Sequence, residues 1–323
     1  MKIAVHCISA ALSASLMAIP AQGLAQAYPS KPVRVVVGYA PGGGTDIMAR
    51  AVAAKLPELL KQQVIVENRP GANANLAADY VARQPADGYT VLFMSVSHAM
   101  SKSVYRKLGY DLERDFVPLT IVSEVPNVLT VHPSLPARTV KDMIALAKAK
   151  PGQITYAVAG LGSPGHFAGE MLEMMAKVDL LVVPYKGGGP LTIDLMAGHV
   201  MATFNALPPL LPHIRAQQTR AIAVSTGKRA RVLPDVPTIA ETLPGYAVST
   251  WYGCVVRSGT PDEIVSQLSA AMLKIIAMPD VQEALANQGA VIVGGTSSQS
   301  AAFIKSEIAK YARVAKAADI RAE

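Results

Sequence analysis

The chain has 323 residues, 51% apolar and 5% aromatic, with 30 Lys and Arg against 23 Asp and Glu for a net charge of +7. That length holds two domains with sizeable cores, and an apolar fraction carried by Ala, Val and Leu favours α/β packing over an all-β sandwich. The basic residues are scattered, with no run and no interleaved aromatics, which argues against a nucleic-acid partner.

Residues 1–27 read as an export signal. Met1-Lys2 is a short basic start, residues 3–19 are apolar, Pro20 breaks the run, and Ala25-Gln26-Ala27 is the pattern a signal peptidase cuts. Cleavage is expected before Tyr28. Ser, His and Gln interrupt the run, which is also short for a membrane span. Cys7 lies too early to take a lipid anchor, and its loss leaves Cys254 alone in the run WYGCVV. A buried, unbridged thiol is expected there.

From Pro32 onward strand and helix alternate. Strands are expected at 33–37, 64–67 and 90–94, and helices at 45–61 and 73–83, separated by the turns NRPG and PADG. Residues 116–132 form a long extended run broken by prolines. A second series follows: helix 139–149, strand 155–158, helix 165–177, strand 180–183, helix 190–197, strand 201–204 and strand 221–225. A Pro-rich stretch at 233–245 leads to a second extended run at 246–257, and helices close the chain at 261–277, 280–288 and 297–317. The economical arrangement is a discontinuous first lobe (28–125 plus 250–323) and an inserted second lobe (126–249). The two extended runs then pair as crossover strands at a hinge.

Three strand-to-helix junctions are glycine-rich. In GYAPGGGTD, residues 42–44 lack Cβ atoms, so their N–H groups can approach a ligand, and Thr45 or Asp46 can cap the helix. No Lys precedes Thr45, so the phosphate-loop pattern fails, and Ile47 stands where a dinucleotide loop needs its last Gly. A carboxylate site and a plain tight turn both remain open on this stretch. In AGLGSPGH, Leu161 replaces the Gly of a serine-hydrolase elbow, while Ser163 and Pro164 fit an N-cap and first helical position. PYKGGG is the third junction, with Tyr185 and Lys186. All three lie at the same end of their sheets and would offer N–H groups to a shared cleft. No metal-binding spacing appears, and no nucleophile is brought beside a base, so neither cofactor nor catalysis is expected.

Ordered motifs run the length of the chain after residue 27: YPSKPVRVVVGYAPGGGTD, VIVENRPGA, PADGYTVL, VPNVL, GLGSPGH, VPYKG, LPDVPTIAE and GGTSS. On these the chain resembles the Bug family of periplasmic solute receptors, the substrate-binding proteins of tripartite tricarboxylate transporters. The resemblance implies a two-lobed α/β periplasmic-binding fold, type II-like, that closes on a small carboxylate. It implies a monomer that hands the ligand to integral-membrane permease subunits. It further implies that backbone N–H groups of residues 42–46 and 162–166, with waters, hold the carboxylate. Carried over by position, Tyr39, Gly43, Gly44, Thr45, Asp46, Ser95, Gly162, Ser163, His166, Tyr185 and Asn205 are expected around the cleft.

Two departures bear on the ligand. Phe204-Asn205-Ala206 stands where family members often carry Phe-Asp-Asn, which disfavours an ammonium-bearing ligand and leaves Asn205 to donate to a second carboxylate or amide. The stretch MSVSH lacks the Gly-Thr character common there, and places Ser95 and His98 toward the far end of a ligand. Two other functions fit the chain: a periplasmic hydrolase using Ser163 or His166, and a receptor feeding a signalling system.

Overall fold

The computed structural model describes residues 28–322; the expected signal peptide and Cys7 lie outside the described residues. The first elements are β1 (Val33–Val37), α1 (Gly44–Ala53), α2 (Leu56–Leu60), β2 (Val64–Asn68), α3 (Asn75–Ala82), β3 (Thr90–Ser95) and α4 (Val96–Val104). The middle of the chain gives β4 (Phe116–Val131), α5 (Val140–Ala149), β5 (Thr155–Val158), α6 (Pro164–Ala176), β6 (Leu181–Pro184), α7 (Gly188–Met196), β7 (Ala202–Ala206), α8 (Leu207–Arg215) and β8 (Arg220–Val224). It finishes with β9 (Ser249–Arg257), α9 (Asp262–Ile276), α10 (Pro279–Asn287), β10 (Val291–Gly294) and α11 (Ser297–Ala317).

The strands join in the order β2-β1-β3-β9-β4-β7-β5-β6, with β8 and β10 also on β4. Two parallel groups, β1–β3 and β5–β7, are built by helical crossovers, as parallel pairing requires. The 16-residue β4 links them. Its residues through Pro126 pair with β9, and from Asn127 onward it pairs with β7 and β8. Because β3 and β7 run in opposite directions along β4, the carboxyl ends of the two parallel groups face each other across this switch.

Local sequence explains the packing. In VRVVV, alternation sends Val33, Val35 and Val37 against Met48 and Val52 of α1, and Val36 against Ala77, Ala78 and Val81 of α3. Cys254 is buried in β9, and burial pushes its thiol up to about 12.

The elements depart from expectation at five places. Helix 45–61 is two helices, because Pro57 in the first turn of α2 lacks an N–H and cannot continue α1. Helix 73–83 begins only at Asn75, since Ala72, Asn73 and Ala74 take left-handed backbone, φ 46°, 52° and 72°. α4 was unexpected, although Val96, Ala99, Met100 and Val104 bury at helical spacing. α8 is hidden by three prolines; Pro208 and Pro209 fall in its first turn, where a missing N–H costs nothing. The short edge strand β10 was also unexpected.

Candidate ligand-binding site

At the facing strand ends, β1, β3, β5, β6 and β7 hand over to α1, α4, α6, α7 and α8. All five helix N-termini reach one cavity of about 30 Å³: Gly43 to Thr45, Ser95 and Ser97, Ser163 to Gly165, Gly188, and Asn205 with Ala206 line it. Asn127 of β4 and Thr250 and Tyr252 of β9 complete the wall. Among the described residues, no charged side chain lines it. A helix N-terminus leaves N–H groups unpaired and carries partial positive charge, so the ring favours an anion without any formal cation. α1 and α7 are capped by Gly43 and Gly187, with no side chain taking up the free N–H groups.

The two halves touch through their glycine loops. Ala40 N donates to Lys186 O at 3.2 Å. A Cβ on Gly43 would lie 3.3 Å from Gly188 N, and one on Gly189 would lie 2.5 Å from Pro41 O. Only glycines allow this approach. Residues 42–44 thus touch 187–189 directly, while Ser163 to Gly165 share their cavity. The start of GLGSPGH also faces residues 72–74, where Gly160 and Gly162 abut Asn73. Between these loops lies a second cavity of about 210 Å³, which shares Tyr39 and Ala159 with the first and, among the described residues, has Lys186 as its charged lining residue.

Of the residues expected at the cleft, Tyr39, Gly43, Gly44, Thr45, Ser95, Ser163 and Asn205 line the first cavity, and Tyr185 and Tyr39 the second. The buried Tyr39 hydroxyl donates to Asn73 Oδ1 at 2.6 Å and lies 2.6 Å from Ser97 Oγ; burial raises its pKa. Asp46 lies outside both cavities. Burial alone would raise its pKa, but hydrogen bonds from Arg50, Gly42 N and Asn68 Nδ2 outweigh that and keep it ionised as a clasp for the loop. Asn205 lines the cavity with its amide already engaged: Nδ2 donates to Gly188 O and Oδ1 accepts from Ala206 N. It pins the start of α7. Tyr185 donates to Asp194 at 2.6 Å. His98 is buried behind the cavity wall, with Nδ1 3.0 Å from Ser95 O.

Gly162 and His166 form a staple. Gly162 N donates to His166 Nδ1 at 3.0 Å, and Nε2 faces Glu170 Oε1 at 3.3 Å. With both ring nitrogens engaged, His166 has no lone pair to take a proton from Ser163, whose Oγ accepts from His166 N as a helix cap. That disposes of the hydrolase geometry. Among the described residues, no group of three metal-ligating side chains is assembled.

Sequence reasoning missed Asn73, Asn127, Ser97, Thr250 and Tyr252. Asn73 lies in a turn, Ser97 in a helix that was not foreseen, and the other three on extended runs. Only the fold brings them to one place.

Two α/β halves joined by shared strands, with an anion-favouring cleft between them, define a binding protein of the periplasmic type. The profile of the family described as "Tripartite tricarboxylate transporter family receptor" matches residues 48–320. Protein BugT of Bordetella pertussis is 36% identical over 295 residues, 90% of each chain. The solved structure of R. palustris Rpa4515 with adipate has a TM-score of 0.89 at 39% identity, covering 91% of this chain and 99% of that one. MatC from Rhodopseudomonas palustris with bound malate has a TM-score of 0.85 at 30% identity, covering 89% and 99%. The chain belongs to the tripartite tricarboxylate transporter receptor family. It is a solute receptor with the α/β periplasmic-binding-protein fold, in a family of transport proteins rather than enzymes.

Proposed function

We propose that this receptor binds a small organic acid by its carboxylate in the cleft between two lobes, 28–125 plus 250–323 and 126–249. An exported monomer, it delivers the acid to the permease subunits of a tripartite transporter. The observation that carries this reading is the convergence of five helix N-termini on one uncharged cavity. The resident side chains offer neutral donors, which suits a carboxylate better than a polyphosphate needing Lys or Arg. Closure about β4 and β9 would bury the anion where these dipoles act in low dielectric. The bound acids of Rpa4515 and MatC belong to the same chemical class.

A thermal-shift screen of mono-, di- and tricarboxylates tests it. A ligand at about a hundred times its Kd stabilises the folded state by about 2.7 kcal/mol, a rise of roughly 4–5 °C for a protein of this size. At least one small carboxylate should give such a rise and inorganic phosphate none; a flat response to every acid would refute the reading.

A further inference from the structure

We infer that the ligand presents an oxygen acceptor in each of the two cavities, and that Asn127 and Asn73 are the specificity-determining donors that meet them. This rests on the carboxylate reading and sharpens it to acids with a second acceptor at the far end of a short chain.

Three buried amides, Asn73, Asn75 and Asn127, are built alike, and of these Asn73 and Asn127 line the two cavities. Asn127 is 2% exposed and Asn73 6%. Each has Oδ1 held by a hydroxyl, Thr250 Oγ1 at 3.2 Å for Asn127 and Tyr39 at 2.6 Å for Asn73. Each leaves Nδ2 buried without a partner. An unpaired buried donor is costly, and one that lines a cavity can be satisfied by what enters it. Asn127 lines the smaller cavity and Asn73 the larger.

Asn73 is also held under backbone strain. It is the centre of three consecutive left-handed residues, and Asn tolerates that conformation better than most. Its amide lies beside Gly160 and Gly162 of the other half, where Cβ atoms would lie 3.3 and 3.5 Å from its Oδ1 and Nδ2. Asn127 sits where β4 changes partners, and its backbone N–H and C=O bond Ser225. Both amides therefore lie where the halves meet, so an acceptor bound to them also holds the halves together.

The shared walls, Tyr39 and Ala159, set the path. One carboxylate fits the smaller cavity, the chain passes between these residues, and the distal acceptor enters the larger cavity near Lys186. Among the described residues lining that cavity, a distal ammonium would face a lysine and a donor amide and no carboxylate.

The test is calorimetric titration of the processed protein with adipate, hexanoate and aminocaproate, the last two ending in methyl and ammonium. A charge-assisted hydrogen bond corresponds to roughly 10- to 100-fold in affinity, so adipate should bind at least about tenfold tighter than either. Asn73→Gly keeps the left-handed backbone and removes the amide; it should bring adipate to within about threefold of hexanoate. Asn127→Asp, which puts an anion at the inner donor, should weaken both acids about 100-fold. Melting curves of the free variants check folding, and Asn73→Asp substitutes if Asn73→Gly fails to fold, with the same loss of adipate preference expected. An unchanged adipate-to-hexanoate ratio in the Asn73 variant, or wild-type affinity in Asn127→Asp, would overturn the inference alone. Wild-type protein that binds no carboxylate would overturn the carboxylate reading and the inference together.

Discussion

His98 shows how a side chain near the site contributes by staying neutral. Burial pushes its pKa down to about 4, only partly offset by hydrogen bonds to the backbone of Ser95 and Ala74. The unfolded chain, with an ordinary value of 6.5, takes up a proton that the folded chain refuses between these limits. The contribution of His98 to stability is therefore complete above about pH 6.5 and falls as the pH drops toward 4, by up to about 3 kcal/mol. Measured by urea denaturation from pH 7 to 4, wild type should lose stability relative to His98→Asn, against a shared background that includes the raised Glu173 carboxyl; equal slopes in the two proteins would place the acid sensitivity elsewhere. Residues such as Gly43, Ser163 and Pro164 were legible in the sequence because a strand-to-helix turn is a local event with local chemistry. Asn127 was not. In VPNVL it reads as one more strand residue, and its meaning comes from Thr250, 123 positions away, holding one end of its amide.

At the scale of elements, the site is a meeting of helix ends. The α1 and α7 starts come together through Gly43, Gly188 and Gly189, and a valine at 43 would push γ-methyl groups into the space Gly188 N now occupies. Gly43 already has φ −77° and ψ 164°, which any residue adopts, so Gly43→Val should fold with a melting temperature close to wild type. Carboxylate affinity should fall roughly 100-fold or more, because the opposing N–H groups can no longer close on one anion. Retained affinity would mean that α1 and α7 do not act together. Glycine runs announced both of these helix starts, so that part of the site was readable. The starts of α4 and α8 were not, since polar residues masked the period of one and prolines disguised the other. The direct contact of 42–44 with 187–189 was likewise unreadable: which loop touches which depends on how the two halves dock, and no single segment encodes that.

For the whole molecule, the alternation of strands and helices made the α/β class legible, and two long extended runs, the first carrying prolines, foretold shared strands. What the chain could not disclose is the partner change at Pro126 and Asn127, where β4 leaves β9 for β7 and β8. That change turns the strand ends toward one another and sets every helix N-terminus of the site on one cavity. The architecture thus concentrates partial positive charge in a place that holds no cation, and this is the central claim about its selectivity. The most direct test is to titrate the processed protein with the acid that raises its melting temperature and with that acid's neutral amide, which matches it in shape and length but carries no charge. Saturable binding of the acid at one site per chain is expected, with affinity for the amide lower by roughly 100-fold or more. Equal affinity for the two would contradict that claim.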